Sequence, residues 1–143
     1  MNLNTIENKA QNTSPFEAQA AIFKAFTHPV RLSILELLRE GEQCVCHLSA
    51  CLGQRQAYIS QQLIVLRESG LVHDRRDGWN VYYSVVDPLL FEILDDVKVL
   101  SGAEPSALPS SPAECTCPRC STKAGLTNRL SNYRFQEKRN DNY

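Results

Sequence analysis

No run of apolar residues in this chain approaches the roughly 20 needed to cross a bilayer. The first residues, MNLNTIENKAQNTS, have neither a basic start nor an apolar core, so a secretory leader is not expected. A cytoplasmic, membrane-free protein is the default that follows. There are no paired carboxylates in a motif, no nucleophile–base set and no Gly-rich phosphate loop. An enzyme is therefore not expected, nor an organic cofactor. A strong charge of either sign is also missing, since the formal net charge is -1. That excludes little, because a small nucleic-acid reader needs only one positive face. Histidine is scarce: His28, His47 and His73 are the whole supply. Internal repeats are absent.

What the chain does have is sulfur. Six cysteines stand among 143 residues. In a reducing compartment these point to metal ligands or redox thiols rather than structural disulfides. Three of them, Cys44, Cys46 and Cys51, lie in the stretch CVCHLSACLGQRQAYISQQLIVLRESG. The other three, Cys115, Cys117 and Cys120, sit in CTCPRC near the end.

The order of elements follows from periodicity and punctuation. Residues 1–14 are polar and patternless and read as a flexible arm. Phe16, Ala20 and Phe23 recur at i, i+4 and i+7, which predicts a helix from Phe16 to Phe26. His28-Pro29 ends it and starts a second helix to about Arg39, with Val30, Ile34, Leu37 and Leu38 inward. A short third helix fits Val45 to Leu52, stopped by Gly53. A fourth fits Gln56 to Ser69, with Ile59, Leu63 and Leu66 inward and Gly70 as its stop. The short connection at Gly53 makes a helix-turn-helix.

Two strand patterns follow, Leu71 to Arg76 and Trp79 to Val86, joined by Asp77-Gly78 as a tight hairpin turn. The alternation puts Val81, Tyr83 and Val85 on the buried face, and Trp79, Tyr82 and Tyr83 read as hairpin packing. A hairpin in this place is a wing. Asp87-Pro88 opens a last helix to about Leu100. Its apolar stripe is too wide for the neighbours left to cover it, which calls for a second subunit. The expected interface is Phe16, Ala20, Phe23, Leu90, Ile93, Leu94 and Val97. The fold class is thus mainly α with a small β-hairpin, a homodimeric winged helix-turn-helix spanning residues 15–100. Residues 101–143 read as a flexible linker and a Cys-containing tail.

A recognition helix offers its N-terminal polar residues to base edges in the major groove of double-stranded DNA. Arg55, Gln56, Tyr58, Ser60, Gln61 and Gln62 lie off the apolar stripe and fill that role. Arg and Gln suit bidentate contacts to guanine and adenine. Arg75, Arg76 and Asn80 flank the wing tip, where phosphate contact is expected.

Thiolates are soft ligands that select thiophilic ions. Cys44 and Cys46 head the third helix, a position that lowers thiol pKa. On a regular helix, however, residues two apart point about 200° away from each other. One ion therefore needs a distorted helix start. Cys51 shares a face with Cys44 and could supply another sulfur, though burial in the helix packing is the preferred reading. Cys115, Cys117 and Cys120 have little packing rationale and read as metal ligands. Their linker reaches about 20 Å as a coil, so they could join Cys44 and Cys46 of either subunit or chelate separately. A zinc ribbon reads poorly, because a long unrelated stretch separates the two Cys-x-Cys pairs.

HPVRLSILELLREGEQCVCHL, QAYISQQLIVLRESGLV and RRDGWNVYY together resemble the ArsR/SmtB family of metal- and metalloid-responsive repressors. The likeness covers about residues 16–100. It implies a homodimeric winged helix that represses transcription and leaves operator DNA when its effector binds. Cys44-Val45-Cys46 resembles the family's arsenic- and cadmium/lead-responsive sites. The sequence departs from the family in three places. His47 replaces a usual acidic residue, Ser49 stands where a third cysteine is common, and Gln62 stands where a His is common. A zinc site on the last helix would need a histidine that is not there. The effector expected is trivalent arsenic (arsenite, or antimonite in its place), with cadmium or lead as the alternative. A third reading is a repressor switched by thiol oxidation or persulfide.

Overall fold

The computed structural model describes residues 14–103 together with Leu108, Cys115 and Cys117. The arm before Ser14, most of the tail and Cys120 lie outside the described residues. Helix α1 spans Pro15–Phe26. Its start is a capping box. Ser14 Oγ accepts the Phe16 N–H at 3.3 Å, and Glu17 accepts the Ser14 N–H at 2.9 Å. Helix α2, Pro29–Leu37, begins at a histidine cap, with His28 Nδ1 accepting the Val30 N–H at 3.3 Å. It tightens into a 3₁₀ turn over Leu38–Glu40 rather than continuing as α-helix to Arg39.

A two-residue strand, β1 (Gln43–Cys44), then precedes α3 (Val45–Leu52). Gly53 closes α3 in the left-handed conformation (φ 61°), which glycine adopts without steric cost. Helix α4 runs Gln56–Glu68. Strands β2 (Val72–Asp77) and β3 (Asn80–Val85) form the wing, and α5 (Leu89–Ser101) ends the domain. The sheet has the order β1-β3-β2 and is antiparallel throughout.

One core holds these elements together. Ile34, Leu35, Leu48, Ile59, Leu63, Leu66 and Val72 are fully buried in it. The α3–turn–α4 unit and α2 supply most of them, as the helical spacing predicts. Leu35 joins the stripe expected of α2. Deleting the Leu63 side chain would leave a void at the centre of this cluster. Leu63→Ala is expected to lower unfolding free energy by about 2–5 kcal/mol, measured by urea denaturation.

Three expectations are corrected. Asp77 pairs with Asn80 across the hairpin, so the two loop residues are Gly78 and Trp79, one position later than expected. Only Gly78 carries positive φ (59°), and glycine first in the loop is the type II′ pattern. Trp79 thereby leaves the strand for the wing tip, where it is fully exposed rather than packed. Secondly, both faces of β3 are covered. Tyr83 and Val85 pack against the main core, but Tyr82 on the opposite face is the most buried residue of the strand. The covering material is β1 with the cysteine tail, which alternation alone cannot reveal. Thirdly, Leu90 and Leu94 of the expected interface belong to the domain's own core, at 5% and 4% exposure. Phe16, Ala20, Phe23, Ile93 and Val97 remain exposed, joined by Leu89.

Candidate metal centre and nucleic-acid interface

Cys44 does not belong to the helix that follows it. It is the cap residue, extended at φ -87° and ψ 161°, and its Sγ accepts the His47 N–H at 3.4 Å. Pairing of β1 with β3 fixes that extended backbone, Cys44 opposite Tyr82. The angular problem of a Cys-x-Cys pair on a helix therefore does not arise. Cys44 and Cys46 turn their sulfurs to the same side, 2.8 Å apart. That is too long for a disulfide at about 2.05 Å, and both thiols are free.

The tail closes the site. Cys115 Sγ stands 3.5 Å from Cys46 Sγ. The sulfurs of Cys44, Cys46, Cys115 and Cys117 all lie within 4.8 Å of one another. Cys44 and Cys117 are buried, and Cys46 and Cys115 are half-buried. Tyr82 packs among them. The separation of the two Cys-x-Cys pairs along the chain therefore does not keep them apart, and both come from one subunit. Among the described residues no zinc-ribbon fold forms, but its four-sulfur donor set does. A tetrahedral site with metal–sulfur bonds of about 2.3 Å places sulfurs about 3.8 Å apart, a geometry these four reach by small shifts. The donor set thus fits a soft ion.

Cys51 is not part of the group. It is buried in the main core, its Sγ 3.4 Å from His47 Nε2. His47 is directed to that contact and likewise stands outside the four-thiol set.

The expected fall in thiol pKa is reversed. Burial is the largest influence on Cys44 and pushes it up, outweighing the His47 N–H that lowers it. Burial, then the neighbouring Cys44 and Cys115 thiols, push Cys46 up further. Cys51 is pushed up to about 11, again chiefly by burial. Each folded value lies above the unfolded value of about 8.5, so the native state holds these protons more tightly. The resulting stability is complete below that value and is lost as pH rises through the folded pKa values. The protein without bound ion is therefore expected to lose melting temperature as pH rises above about 8.5, and a Cys44→Ala/Cys46→Ala variant less so, by calorimetry.

A polar cleft lined by Cys46, Ser49, Ala50, Gly53, Gln54, Gln56 and Cys115 runs from the thiols to the start of α4. There, Arg55, Gln56 and Gln61 are exposed and Ser60 is half-buried. Tyr58 and Gln62 have partners within the chain. Tyr58 Oη lies 3.2 Å from His28 Nε2, and Gln62 Oε1 accepts from Arg31 Nη1 at 3.3 Å. Arg31 also donates to the Ala25 and Lys24 carbonyls at the end of α1. At the wing, Arg76 is exposed and Asn80 half-buried. Arg75 is held back by Glu42, Nη2 to Oε1 at 2.6 Å and Nε to Oε2 at 3.2 Å. Sequence reasoning missed Arg31, Glu42 and Tyr82. Only the charge of the first two was a signal, with nothing to indicate their partners.

The family described as "Bacterial regulatory protein, arsR family" matches residues 28–74. An HTH-type transcriptional regulator of Methanocaldococcus jannaschii is 46% identical over 81 residues, 55% of this chain and 90% of that one. The chain belongs to the ArsR family. Another member, the arsenic resistance transcriptional regulator ArsR1 of Pseudomonas putida, is 36% identical over 108 residues, covering 66% of this chain and 84% of its own. A solution structure from Mycobacterium bovis is described as a homodimeric winged helix-turn-helix DNA-binding domain. It matches with a TM-score of 0.57 at 27% identity, covering 66% of this chain and 93% of that one. The fold of this ArsR-family chain is accordingly the winged helix-turn-helix. No helix among its described residues is long and apolar enough to cross a membrane.

Proposed function

We propose that two copies of the chain form a repressor bound to double-stranded operator DNA, and that a soft ion held by Cys44, Cys46, Cys115 and Cys117 releases it. One observation carries this: four cysteine sulfurs gathered within 4.8 Å beside the helix-turn-helix. Support for DNA binding comes from family membership and from the exposed Arg55, Gln56 and Gln61. Tyr58, Ser60, Gln62, Arg76 and Asn80 stay with them as contact residues. Support for the dimer comes from the uncovered apolar side chains of α1 and α5, Phe16 at 77% and Phe23 at 62% exposure among them. Leu89, Ile93 and Val97 of α5 are exposed as well, and exposed apolar groups of this kind mark interaction surfaces.

Trivalent arsenic is the first reading of the ion, supported by the arsenic-resistance relative. It needs three thiolates. The fourth sulfur favours a second reading, a soft divalent cation, cadmium with all four sulfurs or lead with three of them. Cys120 is a reserve ligand. In either case the chain's own contribution is the same: β1 and the start of α3 present two sulfurs, the tail brings two more, and burial shields Cys44 and Cys117 from water. Because α3 packs directly on α4, ordering the site biases the recognition helix. Typical allosteric coupling of about 1–3 kcal/mol corresponds to a change of about 5- to 150-fold in operator affinity.

The test is an operator-binding titration with arsenite, antimonite, cadmium, lead and zinc, on wild type and on Cys44→Ser/Cys46→Ser. Release by a soft ion is expected in the wild type and not in the double variant. Equal release from both removes the four-thiol site as the sensor. Release by oxidant without any ion, reversed by reductant, replaces it with a redox switch.

A further inference from the structure

Resting on the reading of the four thiols as the effector site, we infer that Tyr82 carries the state of that site to the wing, where it decides whether Arg75 holds an operator phosphate. Tyr82 is a positioning residue in this scheme.

Three strands place the participants in one row. Cys44 is opposite Tyr82 across β1 and β3, and Tyr82 is opposite Arg75 across β3 and β2. Directly opposed residues share a face of the sheet, about 5 Å apart at Cβ, and press on one another. The Tyr82 ring is 4% exposed and packs among Cys44 and Cys117, with Cys46 and Cys115 at the edge. The guanidinium carbon of Arg75 lies 5.2 Å from the ring centroid. Arg75 is also paired to Glu42, which sits two residues before Cys44 in the chain. One anchor of Arg75 thus packs in the thiol cluster, and the other stands on the segment that leads into Cys44.

Ligation locks this cluster: it fixes four sulfurs that lie within 4.8 Å of one another at about 3.8 Å around one ion. The ring packed against Cys44 and Cys117 is fixed with them. A planar guanidinium can exchange its two bonds to Glu42 for two to a phosphate, since both offer paired oxygens. A wing arginine has that second partner when DNA is bound. In the ion-loaded state the fixed ring and Glu42 hold Arg75 to the sheet, and in the ion-free state it swings to the operator. This route runs through the wing and is separate from the contact of α3 with α4.

The experiment measures operator binding by anisotropy, ion-free and cadmium-loaded, from 50 to 300 mM salt, on wild type, Tyr82→Phe, Tyr82→Leu and Glu42→Gln. Each phosphate contact contributes about 0.9 to the slope of log affinity on log salt. Cadmium is expected to lower the wild-type slope by about two, one contact per wing of the dimer, as affinity falls. Tyr82→Phe keeps the ring and behaves as wild type. Tyr82→Leu is expected to bind cadmium with the same thiolate absorption, while the slope no longer changes and the affinity ratio shrinks to what the contact of α3 with α4 supplies alone. Glu42→Gln, an exchange at the surface that spares the fold, is expected to keep the high slope in both states. A Tyr82→Leu or Glu42→Gln protein with the full ratio and slope change overturns the inference alone. A wild type that neither cadmium nor arsenite releases overturns it together with the effector reading.

Discussion

Replacing Cys115 and Cys117 together by serine is expected to weaken soft-ion binding by about 10³- to 10⁴-fold, with ion-free operator affinity unchanged within about threefold. The magnitude follows from the apparent binding energy of structural zinc sites, about 10–16 kcal/mol spread over four ligands, or about 3 kcal/mol per sulfur. Two lost sulfurs, discounted for water taking their places, leave the stated range. The tail cysteines touch the thiol cluster and Tyr82, and none lies among the exposed residues of α4. Ion binding and DNA binding should therefore separate cleanly. The same pair of positions distinguishes the two ions. With Cys117→Ser alone, three thiolates remain, enough for trivalent arsenic, and arsenite affinity should fall less than about tenfold. A divalent cation that uses all four should lose about 100-fold. Competition against a chromophoric chelator reads both. A double variant with wild-type affinity for each ion would show that Cys44 and Cys46 find their partners elsewhere.

The helix-turn-helix was legible in the sequence because its signals are local. Helix α3 spans Val45–Leu52, as the periodicity and Gly53 predict, and Ile59, Leu63 and Leu66 form the buried stripe of α4 as expected. What the sequence hid depends on pairing over distance. Strand β1 is two residues long and exists only because β3 lies beside it, so the extended Cys44 had no local signature. That missing strand made the Cys44–Cys46 geometry look strained when it is not. The same gap left Tyr82 reading as an outward residue. The meeting of the two Cys-x-Cys pairs is another long-range event, since a Pro-rich linker has reach but no periodicity to say where it lands. Thiol pKa went the wrong way for a related reason: the helix start was visible, and the tail that buries it was not. On α5, a wide apolar stripe showed that something covers it. Only the packing separates Leu90 and Leu94, turned to the domain's own core, from Ile93 and Val97.

Gln56→Ala and Gln61→Ala are each expected to reduce specific operator affinity by about 1–3 kcal/mol, or about 5- to 150-fold, with little loss on random-sequence DNA. Both side chains are exposed, and neither makes a hydrogen bond among those found between the described side chains. Removing either should leave the domain's stability within about 0.5 kcal/mol. Tyr58 and Gln62 provide the contrast. Each is tied to α2, or to the residue that caps it, through His28 and Arg31. Tyr58→Phe and Gln62→Ala therefore disturb the seat of α4 as well as any contact its surface makes, and their loss on operator and random duplexes should be more nearly equal. The pairs of variants thus separate side chains that read bases from side chains that position the reading helix. Equal losses on both duplexes for Gln56→Ala and Gln61→Ala would remove them from base recognition and leave α4 as a backbone-binding helix. Measured with and without cadmium, the same variants also report on coupling. If the ion acts by re-aiming α4, Gln56 at the mouth of the cleft that leads to Cys46 and Cys115 should lose its contribution in the loaded state before Gln61 does.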